Sequence, residues 1–552
     1  MKCGIPLPIR ALLSSAALAI ALPTLVSAQA PPPAPIVVQT RMKLQDFVAG
    51  PDGAKRLESL KRAVAKMKSL DNSPPDSADY RRSWAYWANI HGYYGPESPE
   101  GTVAQQRTNL AAYLAQAGKS QAYIDEALAF YDGMNDQTLP PVQPDSPAHE
   151  IALAVWDTCQ HSNADRSSTS ENIGLNQANF FGWHRMYLYY FERVLRWAAQ
   201  DETLTLPYWD YTDPAQEELP AEFRDISSPL FDERREAGMN AGSMQLSSIR
   251  TNIDQLLTSP DFLAYEFKIE RGIHGYVHCT VGFTCPVAHM GDVPVAANDP
   301  IFYTHHANID RLWSCWQKLH PMPTNTLWLM QQFMFPDETG ALQKQPVSNF
   351  VDTRRLGYEY DNESSCFRVP PAAARANLAM AQEPEKPVTY PNLVSSSPGV
   401  VLNSTSTSVD LVVPQVESRR LRAIPAGASN GVELVLRDLV AEEPPFSLLD
   451  VYIERKGAPA TRQYVGTINW FGAFGHHGMR MASDQSYDFE ITQQLKALDL
   501  SPSSPNLTVT LEASDGRVPT AHAAGTLKAP TPASLNLAAK VHVGAIELRK
   551  SK

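Results

Sequence analysis

The chain has 552 residues, 43% of them hydrophobic and 19% charged, which is enough apolar material for two or more globular cores and excludes a largely disordered protein. Its net charge of −12 is spread along the sequence with no basic stripe, which argues against nucleic acid or an anionic membrane surface as partner. A small molecule is the expected ligand.

At the start, Lys2 and Arg10 precede an apolar stretch too short to span a bilayer comfortably, and small residues follow at Ala28 and Ala30. This pattern predicts a signal peptide over 1–28, a secreted or periplasmic product, and a Pro-rich tether over 29–40. Cys3 leaves with the signal, so Cys159, Cys279, Cys285, Cys315 and Cys366 remain. With an odd number, at least one lies outside any internal disulfide, and Cys279, Cys285, Cys315 and Cys366 allow three pairings.

Residues 41–367 mix helical periodicity with irregular Pro-rich stretches. "AKRLESLKRAVAKMKSL" and "MYLYYFERVLRWAAQ" repeat apolar residues at three and four, which predicts helices packed on one face in a bundle with long irregular loops. His91 ends the aromatic helix "SWAYWANIHG", "WDTCQHSN" carries His161, and His184 opens the helix of "FFGWHRMYLYYFE". "GIHGYVHCT" sets His274 and His278 four apart, on one helical face at about 6 Å between Cβ atoms. "DPIFYTHHANID" adds His305 and His306, with Asp310 one turn on to orient an imidazole or a neighbouring arginine. Two sets of three imidazoles imply two metal ions, and the ligand type alone suits copper, zinc or iron. The single His289, His320, His522 and His542 and the Gly-rich pair His476 and His477 are read as structural.

Residues 368–396, rich in Ala, Pro and Ser, predict a linker. Seven short β-prone runs follow, from "TSVDLVV" to "KVHVGAIEL", separated by turn residues, which predict an antiparallel β-sandwich over 397–552. The aromatic turn "NWFGAF" at 469–474 has two readings: an exposed plug over a site in the first domain, or part of the sandwich's own core.

These stretches resemble the tyrosinase, catechol oxidase and hemocyanin group of type-3 copper proteins. "FFGWHRMYLYYFE" is similar to the family's copper A signature and "DPIFYTHHANID" to its copper B signature, with "LPYWDY", "MGDVPVAANDP", "LGYEY" and an opening Arg41 in family order. The resemblance implies a mainly α fold, a helical-bundle dicopper core followed by the β-sandwich as a shielding domain. It implies two copper ions with dioxygen as co-substrate, copper A on His91, His161 and His184, and copper B on His274, His278 and His306, with His305 a packed neighbour. His161 requires an insertion before the aromatic stretch, with His149 as the rival ligand. The Cys159-x-His161 spacing resembles the family members in which cysteine sulfur is joined to the histidine ring as a thioether.

The implied activity is oxidation of o-diphenols to o-quinones, with hydroxylation of monophenols left open and a small phenol as substrate. Glu270 matches the family's water-fixing glutamate, Gly275 replaces its usual asparagine, and Val293 falls at the gate position. The loss of that amide favours diphenols. A hemocyanin-like dioxygen carrier and an o-aminophenol oxidase are the alternatives, whereas a dizinc hydrolase lacks its bridging carboxylates. The sequence sets no oligomeric state.

Overall fold

The computed structural model describes residues 37–74, 77–91, 103–116, 118–135, 178–282, 285, 288–361, 366, 393–413, 432–473, 485–499, 506–521 and 535–550. No helix among them is long and apolar enough to cross a membrane. The first domain is built around two helices, Phe180–Ala199 and Ile301–Gln317. Both are buried over most of their length, Phe181 and Trp313 stack between them at 5.3 Å, and Tyr187 and Tyr303 share a hydroxyl contact of 3.1 Å. Against the first, helix Gly53–Lys68 lays a buried stripe of Leu60, Ala63, Val64 and Met67, spaced at three and four as an amphipathic helix requires. Arg62 donates to the Ala199 carbonyl at 2.8 Å and locks its far end.

Helix Phe180–Ala199 starts without a side-chain cap from Asn179. Glu266, from a helix spanning Phe262–Ile269, supplies it instead, accepting the Phe181 N–H at 2.8 Å. Burial pushes the Glu266 carboxyl well above the ordinary carboxylate range.

One carboxylate ties the helices to both ends of the domain. Asp310 receives Arg185 Nε at 2.5 Å, Arg41 at 3.4 Å, and the hydroxyls of Tyr358 and Tyr360 at 2.7 and 2.6 Å. Arg41 also pairs with Glu192 at 2.8 Å, and its strand Gln39–Arg41 runs parallel to Tyr358–Tyr360. Burial pushes the Asp310 carboxyl up, but Arg185 and Arg41 outweigh it and hold the group below its usual value. Of the two roles read for Asp310, the arginine contact is the one its geometry displays. Disulfides join Cys279 to Cys285 and Cys315 to Cys366.

The second domain has two four-stranded antiparallel sheets. One is ordered Ala458–Ile468, Leu448–Arg455, Asn506–Ser514, Ser406–Val412; the other Gln485–Glu490, Val432–Val440, His542–Lys550, Leu393–Val401. Alternating apolar residues, among them Val451 and Ile453 on the first and Leu434 and Leu436 on the second, are buried in one core. Leu393–Val401 begins inside the stretch read as linker. It carries Pro398 and three serines, poor strand formers that an edge position tolerates.

The two domains meet over an extensive polar and apolar contact. Arg250 pairs with Asp450, and Lys268 with Glu433 at 2.6 Å and Asp488 at 3.3 Å. Tyr276 donates to the Gly516 carbonyl at 2.7 Å, and Val518–Pro519 pairs with Met244–Gln245.

Candidate metal centre

Five of the six predicted ligands converge in the first domain; His161, its neighbour Cys159 and the rival His149 lie outside the described residues. His274, His278, His305 and His306 each offer a ring nitrogen within 4.8 Å of the others, and His91, His184 and His306 do the same, so His306 belongs to both groups. Neither group, among the described residues, includes a carboxylate or a cysteine. All six rings are buried.

Backbone carbonyls fix the rings. His91 Nδ1 donates to Val293 O at 3.0 Å, His184 Nδ1 to Phe180 O at 2.7 Å, His274 Nδ1 to Glu270 O at 3.1 Å and His278 Nδ1 to Met290 O at 2.8 Å. A carbonyl can only accept, so each of these rings carries its proton on Nδ1 and has its lone pair on Nε2, the tautomer that ligates a metal through Nε2. Burial lowers the basicity of His278, His305 and His306 far below the ordinary histidine value, and the neighbouring imidazoles lower it further. The rings are therefore neutral, the state in which imidazole binds metal. Among the described residues, both nitrogens of His306 and Nε2 of His278 are buried without a hydrogen-bond partner, a cost that a bound metal ion would remove. The donor set thus fits metal ions of the imidazole-binding class.

His305 is held differently, with its Nδ1 2.8 Å from the Tyr211 hydroxyl. Phe180 and Phe302 fill the space between the rings: Phe180 lies 4.8 Å from both His184 and His274, and Phe302 lies 4.2 Å from His306 and 4.6 Å from His91. Phe302 stands inside the "DPIF" motif and Tyr211 ends "LPYWDY", so the sequence held a signal for both, although not for their contacts.

His274 and His278 do not share one regular helix. Glu270–His274 is a π-helical turn, opened at Gly272 (φ −88°, ψ −105°), and helix Gly275–Val281 follows. The extra residue of the turn lies before His274, and the rings of His274 and His278 stand with centroids 4.5 Å apart. Glu270 is buried and Val293 half-buried; Val293, read as a gate, contributes its carbonyl to His91.

The second domain reaches this centre. Trp470 and Phe471 are buried, not exposed as an aromatic turn would suggest, and the Phe471 ring stacks on His278 at 4.0 Å and 14° and lies 5.5 Å from His274. Phe474 of the same motif lies outside the described residues. Gly275, read as a site lacking an amide, has one beside it: a Cβ built there would lie 2.8 Å from Cγ and Nδ2 of Asn469. Neither contact is legible in sequence, because the partners stand about two hundred positions apart.

The chain matches the common central domain of tyrosinase over residues 148–262 and 233–319, and the polyphenol oxidase middle domain over 323–369. It is 28% identical over 338 residues to the latent form of polyphenol oxidase from Prunus armeniaca, covering 54% of this chain and 55% of that one. It is 33% identical over 221 residues to polyphenol oxidase A1 of Vicia faba, covering 33% and 36%. The chain therefore spans about half the length, or less, of the curated relatives it matches. The structure of latent apple tyrosinase superposes with a TM-score of 0.53 at 19% identity, over 94% of this chain and 98% of that one, so the likeness in fold extends through both domains.

Proposed function

We propose, from its matches to the tyrosinase and polyphenol oxidase models and relatives, that the chain is a dicopper oxidase of that family that uses dioxygen to convert o-diphenols to o-quinones. The observation that carries this reading is the pair of buried, carboxylate-free imidazole groups sharing His306. His91, His161 and His184 would hold one copper, and His274, His278 and His306 the other. A copper pair supplies two electrons to dioxygen together, which is what phenol oxidation to a quinone requires. His305 is the neighbour rather than the ligand: when Tyr211 donates to its Nδ1, its own proton stays on Nε2 and no lone pair is left for metal.

The protein's own part is to hold the rings neutral, to keep water out with Phe180 and Phe302, and to take the phenolic proton. Glu270, one turn before His274, is the group assigned to that transfer. Diphenols, which are already hydroxylated, are the favoured substrates; monophenols and o-aminophenols are the other substrate classes to test. The name of the Prunus relative includes "latent form", and the Phe471 cover supports the same state here: an intact chain of low activity, awakened by opening or removing the second domain. That cover also suits a hemocyanin-like dioxygen carrier, in which substrate never reaches the metals. The signal pattern over 1–28 assigns the mature chain to a secreted or periplasmic location, and 368–396 is the segment proposed for cleavage.

The test is copper reconstitution of the full chain, metal analysis, and assays with catechol, tyrosine and o-aminophenol before and after limited proteolysis. Two coppers per chain and catechol oxidation that rises on cleavage are expected. A cleaved, copper-loaded chain that binds dioxygen without turning over any of the three would establish the carrier instead.

A further inference from the structure

We propose that Asn469 is a positioning residue of the metal centre: the second domain inserts this amide against Gly275 to hold the π-helical turn that carries Glu270 and His274. The proposal rests on the dicopper reading above and goes beyond it, because it makes the second domain a structural part of the centre as well as its cover.

Asn469 is 2% exposed, in the turn after strand Ala458–Ile468. Its Nδ2 donates to the Arg271 carbonyl at 2.7 Å, inside the π turn. Its Oδ1 accepts the Phe471 N–H at 3.2 Å, and its own carbonyl accepts the Tyr487 hydroxyl. The amide is thus used at both ends, one bond fixing the turn that bears His274 and the other fixing the residue stacked on His278.

The turn needs such support. A π turn interrupts the regular i to i−4 ladder, the Gly275 N–H reaching back to the Glu270 carbonyl, and Gly272 at its centre adds backbone freedom that another residue would remove. The Asn469 bond ties the Arg271 carbonyl, inside this turn, to the second domain. Gly275 makes the approach possible, since a Cβ there would stand 2.8 Å from Cγ and Nδ2 of Asn469, well inside contact distance. The amide cannot simply swing aside, because both of its ends are bonded. Gly275 and Asn469 are therefore a matched pair: the side chain missing at one position is the room that the other occupies. His274 takes its orientation from the same turn, through Nδ1 to Glu270 O.

The experiment uses the full-length, copper-loaded chain and follows metal release to a chelator, with the melting temperature measured alongside. N469A is expected to release one of its two coppers about tenfold faster than wild type while the other leaves at the wild-type rate. G275A, which pushes on the amide from the opposite side, is expected to do the same, and the G275A/N469G double variant to recover slower release than G275A alone. N469A releasing both coppers at wild-type rates, or both faster in step with a lowered melting temperature, would overturn the proposal. If N469A does not fold, G275A decides: wild-type release from it overturns the pairing. A wild-type chain that takes up no copper defeats the dicopper reading itself, an outcome distinct from all of these.

Discussion

Replacing Phe471 with Ala removes the ring stacked on His278 and should open the centre without any cut in the chain. Burying a phenylalanine side chain stabilises a closed state by about 1.5–3 kcal/mol, and the face-on aromatic contact at 4.0 Å adds about 0.5–1.5 kcal/mol. About 2 kcal/mol, the lower end of the sum, is the figure to use, because Trp470 and the Asn469 bond still anchor the turn. At roughly 1.4 kcal/mol for each factor of ten, the open fraction should rise about thirtyfold. The assay is the initial rate of catechol oxidation by uncut chain, divided by the rate of the same chain after cleavage in 368–396, with copper measured in both. In wild type the ratio should be small, and in F471A it should approach one; F471W, which keeps the cover, should stay near wild type. An uncut F471A chain with full copper and wild-type activity would show that the ring is no barrier.

H306A should lose about one copper per chain and all oxidation, whereas H305A should keep both metals; full loading of H306A would mean that the ligand is wrongly assigned. With Cys3 in the proposed signal, Cys159 is the cysteine that the two disulfides leave over, and intact-mass analysis should find two hydrogens missing beyond those bonds, from a thioether to His161; free alkylation of Cys159 in denatured, copper-treated protein would rule the bond out. At the domain contact, Lys268 faces both Glu433 and Asp488, with Glu490 nearby, and burial pushes the Glu433 carboxyl up to about 7 even though Lys268 opposes the shift. A raised carboxyl contributes stability to the closed contact that is fully present below its unfolded value and lost as pH rises through about 7, so the protection of amides at residues 469–473, corrected for their intrinsic exchange, should fall between about pH 5 and 7 in wild type and stay flat in E433Q; equal pH dependence in the two would refute the assignment. D310N weakens a fully buried ion cluster and should lower stability by about 3–5 kcal/mol, measured by denaturant unfolding of the copper-free chain; a loss below 1 kcal/mol would mean that Arg41 and Arg185 find other partners.

The sequence made the histidines legible because a candidate metal site leaves local traces. His274 and His278 stand at helical spacing, and the "DPIFYTHHANID" run carries ligand, helix and the Asp310 anchor in one stretch. The β-domain was legible for a similar reason, since alternation along a strand is a short-range pattern. Leu393–Val401 escaped because an edge strand needs little of that pattern: its serines and Pro398 read as linker, and only pairing with His542–Lys550 makes it a strand. The π turn escaped as well, because the four-residue interval between Glu270 and His274 is also that of an ordinary helix; what distinguishes it is Gly272, a single residue with many other uses.

Gly275 shows why substrate preference was the hardest property to read. In the chain by itself it looks like the deletion of an amide from the centre, and from that loss follows a simple experiment: install Asn and expect monophenol hydroxylation to rise. In the folded protein the position is already occupied from the other side by Asn469, so G275N in the intact chain would drive two amides into one space. The same substitution after the second domain has been cleaved and released meets no such obstacle. G275N should therefore damage the uncut chain, lowering its copper retention, yet raise the monophenol-to-diphenol ratio once the domain is gone; a variant that behaves alike in both forms would mean that Asn469 and position 275 act independently.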